Sequence, residues 1–293
     1  MKTIASATGK LGTTIVIVGV GLIGGSIARA VRSRGLFERI IGVGRNPQRL
    51  QQAVEQGVID EYACHGSEAA AQADLIVVCT PVEQIAEDVL ELHACLPAGG
   101  VITDAGSTKG GICRRVRDGL ETGHRFVGAH PLAGSEKSGF EYAQADLFEE
   151  AVVILTPDDS TAPFAAERVA EFWSSLGGRL VTMGAAEHDL ILAMTSHLPH
   201  LVSSALAASV TERDLPLAAT GFGDTTRIAA GDPRLWTSIF MENADATIHA
   251  AEEFLLRFQA LLSALKDRQP ERLHSLLSTG KQHRDLWQQT NTR

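Results

Sequence analysis

Short apolar runs alternate with longer amphipathic stretches along the chain as far as residue 182. The runs are rich in valine and isoleucine and are bounded by glycine, proline or polar residues, as buried strands of a parallel sheet are. The stretches between them have helical spacing, so the alternation predicts an α/β fold with a doubly wound sheet of the Rossmann type. The predicted strands are residues 15–18, 39–44, 73–81, 101–104, 125–129, 151–155 and 179–182.

The pattern changes near residue 185, beyond which no further strand is predicted. Two long helical stretches, residues 187–209 and 235–266, carry alanine and leucine on continuous faces. We therefore predict a dinucleotide-binding domain over residues 1–183 and an all-helical domain over residues 184–293. Apolar stripes on long helices favour a homodimer that pairs through the second domain, and the alternative is a single monomeric helical core.

The strongest local signal is a strand, a glycine turn and a helix in direct succession. A β-branched run ends in the sequence G-V-G-L-I-G at residues 19–24. In this context Gly19 permits the turn, Gly21 lets the backbone approach a pyrophosphate, and Gly24 lets the helix pack closely on the strand. The N–H groups and the dipole at the start of the helix favour a bound anion. The pattern predicts a dinucleotide cofactor, and the alternative is a glycine-rich turn without a ligand.

The end of the second predicted strand carries no acidic residue. In dinucleotide-binding folds a carboxylate at this position binds the ribose 2′-hydroxyl, whereas this chain has Gly44 followed by Arg45. Without the carboxylate there is no repulsion toward a 2′-phosphate, and the Arg45 guanidinium could pair with that phosphate. The position therefore favours NADP over NAD, and the alternative is that Arg45 stacks on adenine or faces solvent.

Charge and composition exclude several classes of function. The net charge of −9 argues against non-specific nucleic-acid binding, which needs a basic surface. We expect no membrane span, because no apolar run reaches about 18 residues. The four cysteines lie far apart without a C-x-x-C motif, which suits a reducing compartment. We expect a cytoplasmic protein without nucleic-acid or membrane partners.

Loops that follow the predicted strands carry the candidate catalytic groups. Ligands of doubly wound sheets bind at the carboxyl ends of the strands, so the loops containing Gly19, Thr80, Ser107 and His130 should converge on one crevice. His130 is the leading candidate, because a neutral histidine can accept a proton or a hydrogen bond near pH 7. The alternative is a histidine satisfied by backbone groups at a turn.

Two motifs in the helical half offer further candidates. In S-H-L-P-H, residues 196–200, we expect Pro199 to kink the helix and to aim His197 into the crevice. No third ligand accompanies the two histidines, so no metal site is predicted. Arg227 offers a planar fork for a carboxylate, and Asp224 precedes it by three residues, so a structural Asp–Arg pair is the alternative.

Six motifs occur together and in a fixed order. They are the glycine turn, V-C-T-P at 78–81, D-x-x-S-x-K at 104–109, G-A-H-P-L-A-G-S-E at 128–136, S-H-L-P-H at 196–200 and G-F-x-D-x-T-R at 221–227. Over residues 13–282 the chain thereby resembles the prephenate/arogenate dehydrogenase family of tyrosine biosynthesis. The two histidine-containing motifs carry most of the specificity, because glycine fingerprints are shared by many families.

The resemblance implies oxidative decarboxylation of prephenate to 4-hydroxyphenylpyruvate, or of L-arogenate to L-tyrosine. A hydride passes from ring C4 to NAD(P), the C1 carboxylate leaves as carbon dioxide, and the ring becomes aromatic. His130 would accept a hydrogen bond from the C4 hydroxyl, Ser107 would hold that hydroxyl, and Arg227 would grip a substrate carboxylate. The other implied substrate-binding residues are His197, Trp236, Glu136 and Asp224. The cofactor-binding residues are Gly19, Gly21, Leu22, Ile23, Gly24, Gly44, Arg45, Thr80, Pro81 and Ser107.

Two other functions stay open. A β-hydroxyacid or imine-type NAD(P)-dependent dehydrogenase also joins a dinucleotide domain to a helical dimer, but it predicts a catalytic lysine on the interdomain helix. Residues 187–209 contain no lysine. A non-catalytic NAD(P)-sensing regulator would bind the cofactor without turnover and would need no cluster such as Ser107, His130 and Arg227. The choice between prephenate and L-arogenate also stays open, because they differ only in a keto or amino group.

Overall fold

The computed structural model describes residues 9–134 and 137–291. The chain divides into a first compact unit that ends at Ala244 and a second that begins at Asp245. The first unit contains an eight-stranded sheet and the helices around it. The second unit contains two long helices.

The strands have the order β3-β2-β1-β4-β5-β6-β7-β8 in the sheet. They are β1 (Thr14–Val18), β2 (Arg39–Val43), β3 (Glu61–Ala63), β4 (Leu75–Val78), β5 (Val101–Asp104), β6 (Phe126–Pro131), β7 (Val152–Thr156) and β8 (Arg179–Thr182). Neighbouring strands are parallel except for β6 and β7, which are antiparallel. The first six strands follow the order of a Rossmann sheet, which confirms the predicted fold class.

Helices follow most of the strands. In the first unit they are α1 (Leu22–Arg34), α2 (Pro47–Glu55), α3 (Gly66–Ala70), α4 (Val82–His93), α5 (Gly110–Gly119), α6 (Pro163–Ser175), α7 (Ala185–Leu192), α8 (Leu198–Ala208), α9 (Thr220–Thr226) and α10 (Pro233–Glu242). In the second unit they are α11 (Ala244–Lys266), which begins at the last residue of the first unit, and α12 (Pro270–Asn291).

The central strand β1 shows why the sequence folds in this way. All five of its residues are buried, and the four from Ile15 to Val18 alternate between two hydrophobic clusters, one on each face of the sheet. Ile15 and Ile17 belong to one cluster, while Val16 and Val18 belong to the other. A strand covered on both faces must be apolar at every position, which is the continuous pattern seen in the sequence.

Two local features differ from the predictions. Strand β3 was not predicted, because its three residues are partly or fully exposed and carry no apolar pattern. Strand β6 extends beyond residue 129, so His130 and Pro131 lie in the strand, opposite Ile154 and Val153 of β7. His130 is therefore held by a strand pair and is not part of a loop.

The predicted helix over residues 187–209 is a longer run with a change of winding. Helix α7 passes into a π-helical segment, Ala193–His197, which leads directly into α8. Pro199 lies in the first turn of α8, where a missing N–H is tolerated. The expected proline kink was therefore wrong, and the irregularity is a π turn before the proline. The other predicted helix, 235–266, is interrupted at Asn243.

The combined run Ala185–Ala208 is long and apolar enough to cross a membrane by length and composition alone, with a mean hydropathy of 1.3. No apolar run of this length was expected from the sequence. Its Leu190 and Met194 are exposed, whereas His188, Asp189 and His197 are buried and hydrogen-bonded inside the first unit. These buried polar contacts show that one side of the run packs inside the first unit.

Candidate active site

A crevice lies at the carboxyl ends of the strands and has two halves. The His130 half is lined by the glycine turn, the loop after β5, the end of β6 and part of α10. The Arg45 half is lined by the end of β2, the start of α2 and part of α4. The halves meet at Gly21, Cys79, Thr80 and Pro81. The structure thus brings the loops of Gly19, Thr80 and Ser107, and His130 at the end of β6, to one crevice.

The glycine turn fits a dinucleotide pyrophosphate. Gly19 has φ of +91°, and a Cβ there would lie 2.7 Å from the Cys79 carbonyl oxygen. A Cβ on Gly24 would lie 2.2 Å from the Gly19 carbonyl oxygen. A Cβ on Gly21, by contrast, would meet no protein atom within 4 Å. Gly19 and Gly24 are therefore required by packing, while Gly21 leaves open space on the crevice at the start of α1, where an anion is favoured.

The Arg45 half contains two exposed guanidinium groups in different situations. Arg49 is paired with Glu141 through both of its terminal nitrogens, and this contact raises the pKa of Arg49 and lowers that of Glu141. Arg45 has no ion pair within residues 9–134 and 137–291. Next to it, Asn46 caps α2 by accepting a hydrogen bond from the Arg49 backbone N–H at 3.1 Å. Arg45 is thus the guanidinium of this half that is free to meet an anion.

Thr80 lines both halves, and its side chain is engaged within the protein. Its hydroxyl donates to Asp88 Oδ2 at 2.5 Å. Burial raises the pKa of Asp88, an effect that the Thr80 hydrogen bond partly opposes. The Thr80 side chain therefore fixes the junction of the two halves against α4.

A fully buried ion pair organises the His130 half. Lys109 Nζ donates to Asp104 Oδ2 at the end of β5, and both side chains are 0% exposed. The same carboxylate accepts from the backbone N–H of Gly106 at 2.8 Å and of Ala129 at 2.9 Å. Asp104 therefore holds the loop that carries Ser107 and the strand residue that precedes His130. Ser107 itself lines the crevice.

His130 is connected to two further side chains inside the protein. Its Nδ1 lies 2.8 Å from His188 Nε2. The other ring nitrogen of His188, Nδ1, lies 2.7 Å from Asp189 Oδ1. Burial, followed by the neighbouring His188 and Lys109, lowers the pKa of His130 well below its ordinary value. His130 is therefore neutral at pH 7, as a hydrogen-bond acceptor must be.

Asp189 also joins α7 to the start of α5. Its carboxylate accepts from the backbone N–H of Lys109 at 2.8 Å and of Gly110 at 2.7 Å. Burial acts to raise the pKa of Asp189, but the hydrogen bonds from His188 and these two N–H groups outweigh it, so that the pKa lies below the usual value. Asp189 is therefore a carboxylate with its oxygens fully engaged.

The predicted substrate residues His197 and Trp236 belong to an aromatic cluster beside the crevice. His197 is 1% exposed and its Nδ1 lies 3.1 Å from the Asn243 amide nitrogen. Trp236 stacks on His200 with ring centroids 3.3 Å apart. Burial lowers the pKa of His197 and of His200 to about 4. Neither His197 nor Trp236 lines the crevice in this structure.

The two charged candidates of the G-F-x-D-x-T-R motif lie apart from the crevice lining. Arg227 and Asp224 are exposed and form no ion pair with each other within the part of the chain that the structure describes. Arg234 of α10, which sequence reasoning did not single out, lines the His130 half instead. Glu136 lies outside the described residues.

The main residues that sequence reasoning missed are His188 and Asp189. They lie at the start of the stretch 187–209, which was predicted as a helix with a kink at Pro199, and their neighbours carry none of the spacing that marks a catalytic motif. The available signal was a histidine and an aspartate side by side at the start of a largely apolar helical run, because polar groups buried in such a place need partners.

The fold and the crevice define a class: dinucleotide-binding proteins in which a Rossmann-type sheet is followed by helices. Two family models match the chain, "Prephenate dehydrogenase, nucleotide-binding domain" over residues 27–182 and "Prephenate dehydrogenase, dimerization domain" over residues 184–279. The chain belongs to the prephenate/arogenate dehydrogenase family, as its motifs predicted. It is therefore an oxidoreductase with an NAD(P) cofactor.

Individual relatives agree with this assignment. The chain is 35% identical to the prephenate dehydrogenase of Bacillus subtilis, over 93% of this chain and 75% of that protein. It superposes with a TM-score of 0.86 on the crystal structure of prephenate dehydrogenase from A. aeolicus in complex with hydroxyphenyl propionate and NAD+, at 35% identity and covering 93% and 97% of the two chains. The TM-score with Synechocystis arogenate dehydrogenase is 0.81, at 30% identity and 94% and 100% coverage.

Proposed function

We propose that this enzyme carries out the oxidative decarboxylation of prephenate or L-arogenate with hydride transfer to NAD(P). The observation that carries the proposal is the juxtaposition of a neutral acceptor, His130, with Ser107 and the glycine turn in the same half of one crevice. The family adds the substrate class, since the Bacillus subtilis and Synechocystis relatives are named for prephenate and arogenate, respectively.

The reaction requires little acid–base catalysis from the protein. The C4–H bond breaks with its electron pair leaving as hydride, the C1–carboxylate bond breaks to release carbon dioxide, and its electron pair completes the aromatic ring. The cofactor accepts the hydride when bound. His130 accepts the hydrogen bond of the C4 hydroxyl, and Ser107 orients that hydroxyl. Because aromatisation supplies driving force, positioning of the ring is the main task of these residues.

We propose a preference for NADP over NAD. Support comes from Gly44, which places no carboxylate at the end of β2, and from Arg45, an exposed guanidinium in the same half of the crevice. The proposed cofactor contacts are those listed in the sequence analysis. Because the Thr80 hydroxyl is hydrogen-bonded to Asp88, we propose that Thr80 contacts the cofactor through its backbone.

Substrate binding needs at least one cation for a carboxylate. We propose Arg227 for this role, because the family resemblance implies it, and we propose His197, Trp236, Asp224 and Glu136 as its supporting set. Arg234 is a competing candidate, because it lines the His130 half. Comparison of the two arginines by substitution decides between them.

We further propose a cytoplasmic homodimer with a domain boundary near Gly184. The matched ranges of the two family models meet near this residue, and the second is described as a dimerization domain. Helix α11 adds support, because its Leu255, Leu256 and Phe258 are more than half exposed. Large apolar side chains that face outward are typical of an interface between subunits.

The test is the initial rate of reduced-cofactor formation with prephenate and with L-arogenate, each with NAD and with NADP. Turnover in one or more combinations is expected, and the fastest combination identifies substrate and cofactor. Cofactor binding without turnover in all four would contradict the proposal. It would favour the NAD(P)-sensing regulator or a dehydrogenase of another substrate class.

A further inference from the structure

A chain of three side chains leads from the crevice into the first unit. His130 lines the crevice, whereas His188 is 0% exposed and Asp189 is 7% exposed. Two hydrogen bonds of 2.8 and 2.7 Å connect them in the order His130, His188, Asp189. A buried histidine that contacts the proposed acceptor in this way can control which ring nitrogen of that acceptor is protonated.

The carboxylate at the inner end sets the direction of both hydrogen bonds. Asp189 Oδ1 can only accept, so His188 Nδ1 carries a proton and donates it. The Nε2 of a neutral His188 then has a lone pair and accepts from the Nδ1–H of His130. The lone pair of His130 is thereby left on Nε2, for which the described residues provide no hydrogen-bond partner.

Asp189 is well suited to hold this arrangement. Its oxygens also accept from the backbone N–H groups of Lys109 and Gly110 at the start of α5. Its backbone carbonyl accepts from the Asn243 amide at 2.8 Å. The aspartate is thus fixed by two other segments of the unit, the start of α5 and Asn243, and cannot rotate away from His188 without breaking buried hydrogen bonds.

We propose that His188 is a positioning residue that, held by Asp189, keeps His130 in the tautomer whose Nε2 is unprotonated and available to the substrate hydroxyl. The proposal rests on the proposed function, because only an acceptor role for His130 makes the tautomer matter. His188 does not touch the substrate. Without it, the His130 ring can carry its proton on Nε2, where it donates to the crevice and no longer accepts.

The kinetic test compares His188→Leu with His188→Gln in the full-length enzyme. Leucine fills the space without an acceptor, and we expect kcat to fall about 100-fold with KM within about threefold, the scale of a misplaced general base. Glutamine offers an amide oxygen that can accept a hydrogen bond from His130. We therefore expect kcat of His188→Gln to be about tenfold higher than that of His188→Leu. Equal kcat in the two variants, or a loss confined to KM, would overturn the proposal.

A spectroscopic test needs no turnover. Long-range 1H–15N spectra of ring-labelled wild-type protein report which nitrogen of each histidine is protonated, and the His130 signals are assigned as those lost in His130→Asn. We expect a protonated Nδ1 and an unprotonated Nε2 for His130, and the reverse would overturn the proposal even if both His188 variants failed to fold. An enzyme with the expected tautomer but no activity on either substrate would contradict the proposed function and leave the tautomer assignment standing.

Discussion

The two halves of the crevice present their charges in opposite ways. In the His130 half, Lys109 and Asp104 are 0% exposed and bonded to each other. In the Arg45 half, Arg45 and Arg49 are exposed, and the ion pair of Arg49 lies at the surface. Both halves are assembled on the same sheet edge, so the difference lies in how deeply their polar groups are buried.

This difference determines what each half can tolerate. A buried charge that loses its partner stays in a medium of low dielectric constant, and the cost is several kcal/mol. An exposed charge is solvated with or without a partner, and it contributes about 0–1 kcal/mol. We therefore expect substitutions of the buried polar groups in the His130 half to impair folding or turnover, and substitutions in the Arg45 half to change cofactor preference at little cost in stability.

The largest effect is expected for Lys109→Met. The substitution leaves Asp104 buried without its cation, so the free energy of unfolding should fall by about 3–5 kcal/mol in urea denaturation. The matched control is Lys10→Met, which removes the exposed Lys10–Glu38 pair at 2.8 Å and should change stability by about 0.5 kcal/mol or less. Similar losses in both variants would contradict the expected difference between buried and exposed ion pairs.

Replacement of the acceptor should have the next largest effect. His130→Asn should lower kcat by roughly 100-fold or more, because the substrate hydroxyl loses its acceptor, while cofactor binding changes little. Steady-state rates and cofactor titration measure the two quantities. The control is His274→Asn on α12, an exposed histidine that should keep wild-type turnover. Unchanged turnover in His130→Asn would remove His130 from the mechanism.

The carboxylate clamp is tested by Arg227→Ala beside Arg234→Ala. We expect the loss of Arg227 to raise the KM for substrate by about 10- to 100-fold with little change in kcat, the scale of a lost charged hydrogen bond. Arg234→Ala should raise KM less. A larger rise in KM for Arg234→Ala would assign the carboxylate contact to Arg234, which lines the His130 half. An unchanged KM in Arg227→Ala would exclude Arg227 from substrate binding.

The smallest effect is expected at the end of β2. In Gly44→Asp a carboxylate faces the position of a 2′-phosphate, and kcat/KM for NADP should fall about 10-fold by charge repulsion while NAD use is maintained. The site accepts a side chain, because a Cβ there would lie 3.6 Å from the nearest Leu50 atom. Gly44→Ala controls for the added bulk. NADP use that survives in Gly44→Asp would contradict the cofactor preference proposed here.

Elements with a strong local pattern were predictable. The strands β5 and β8 agree with their predicted bounds, and β1 differs by one residue, since each is a run of consecutive β-favouring residues. The strand β3 and the short helix α3 were not predictable, because neither is long enough to show a period. The π segment at Ala193–His197 was not predicted either, because it continues directly from α7 into α8 and nothing in its composition marks a change of winding.

The same distinction applies to the site. The glycine turn could be predicted because it is formed by residues adjacent in the sequence. His130 and Ser107 could be predicted because the carboxyl ends of parallel strands lie at one edge of the sheet. The direction of the His197 side chain could not be predicted from the sequence in this way. Its direction depends on the winding of the preceding turn and on Asn243, a residue of a distant segment.

The sequence by itself determined the order of the longer strands and helices, the dinucleotide turn and the family, because these depend on local pattern and on motif order. Only the tertiary structure decided which polar groups meet. His188 lies 58 residues from His130, and Asp189 lies 80 residues from Lys109, yet each pair is joined by a hydrogen bond. Such contacts depend on how α7 packs against α5 and the sheet, and no local pattern encodes that packing.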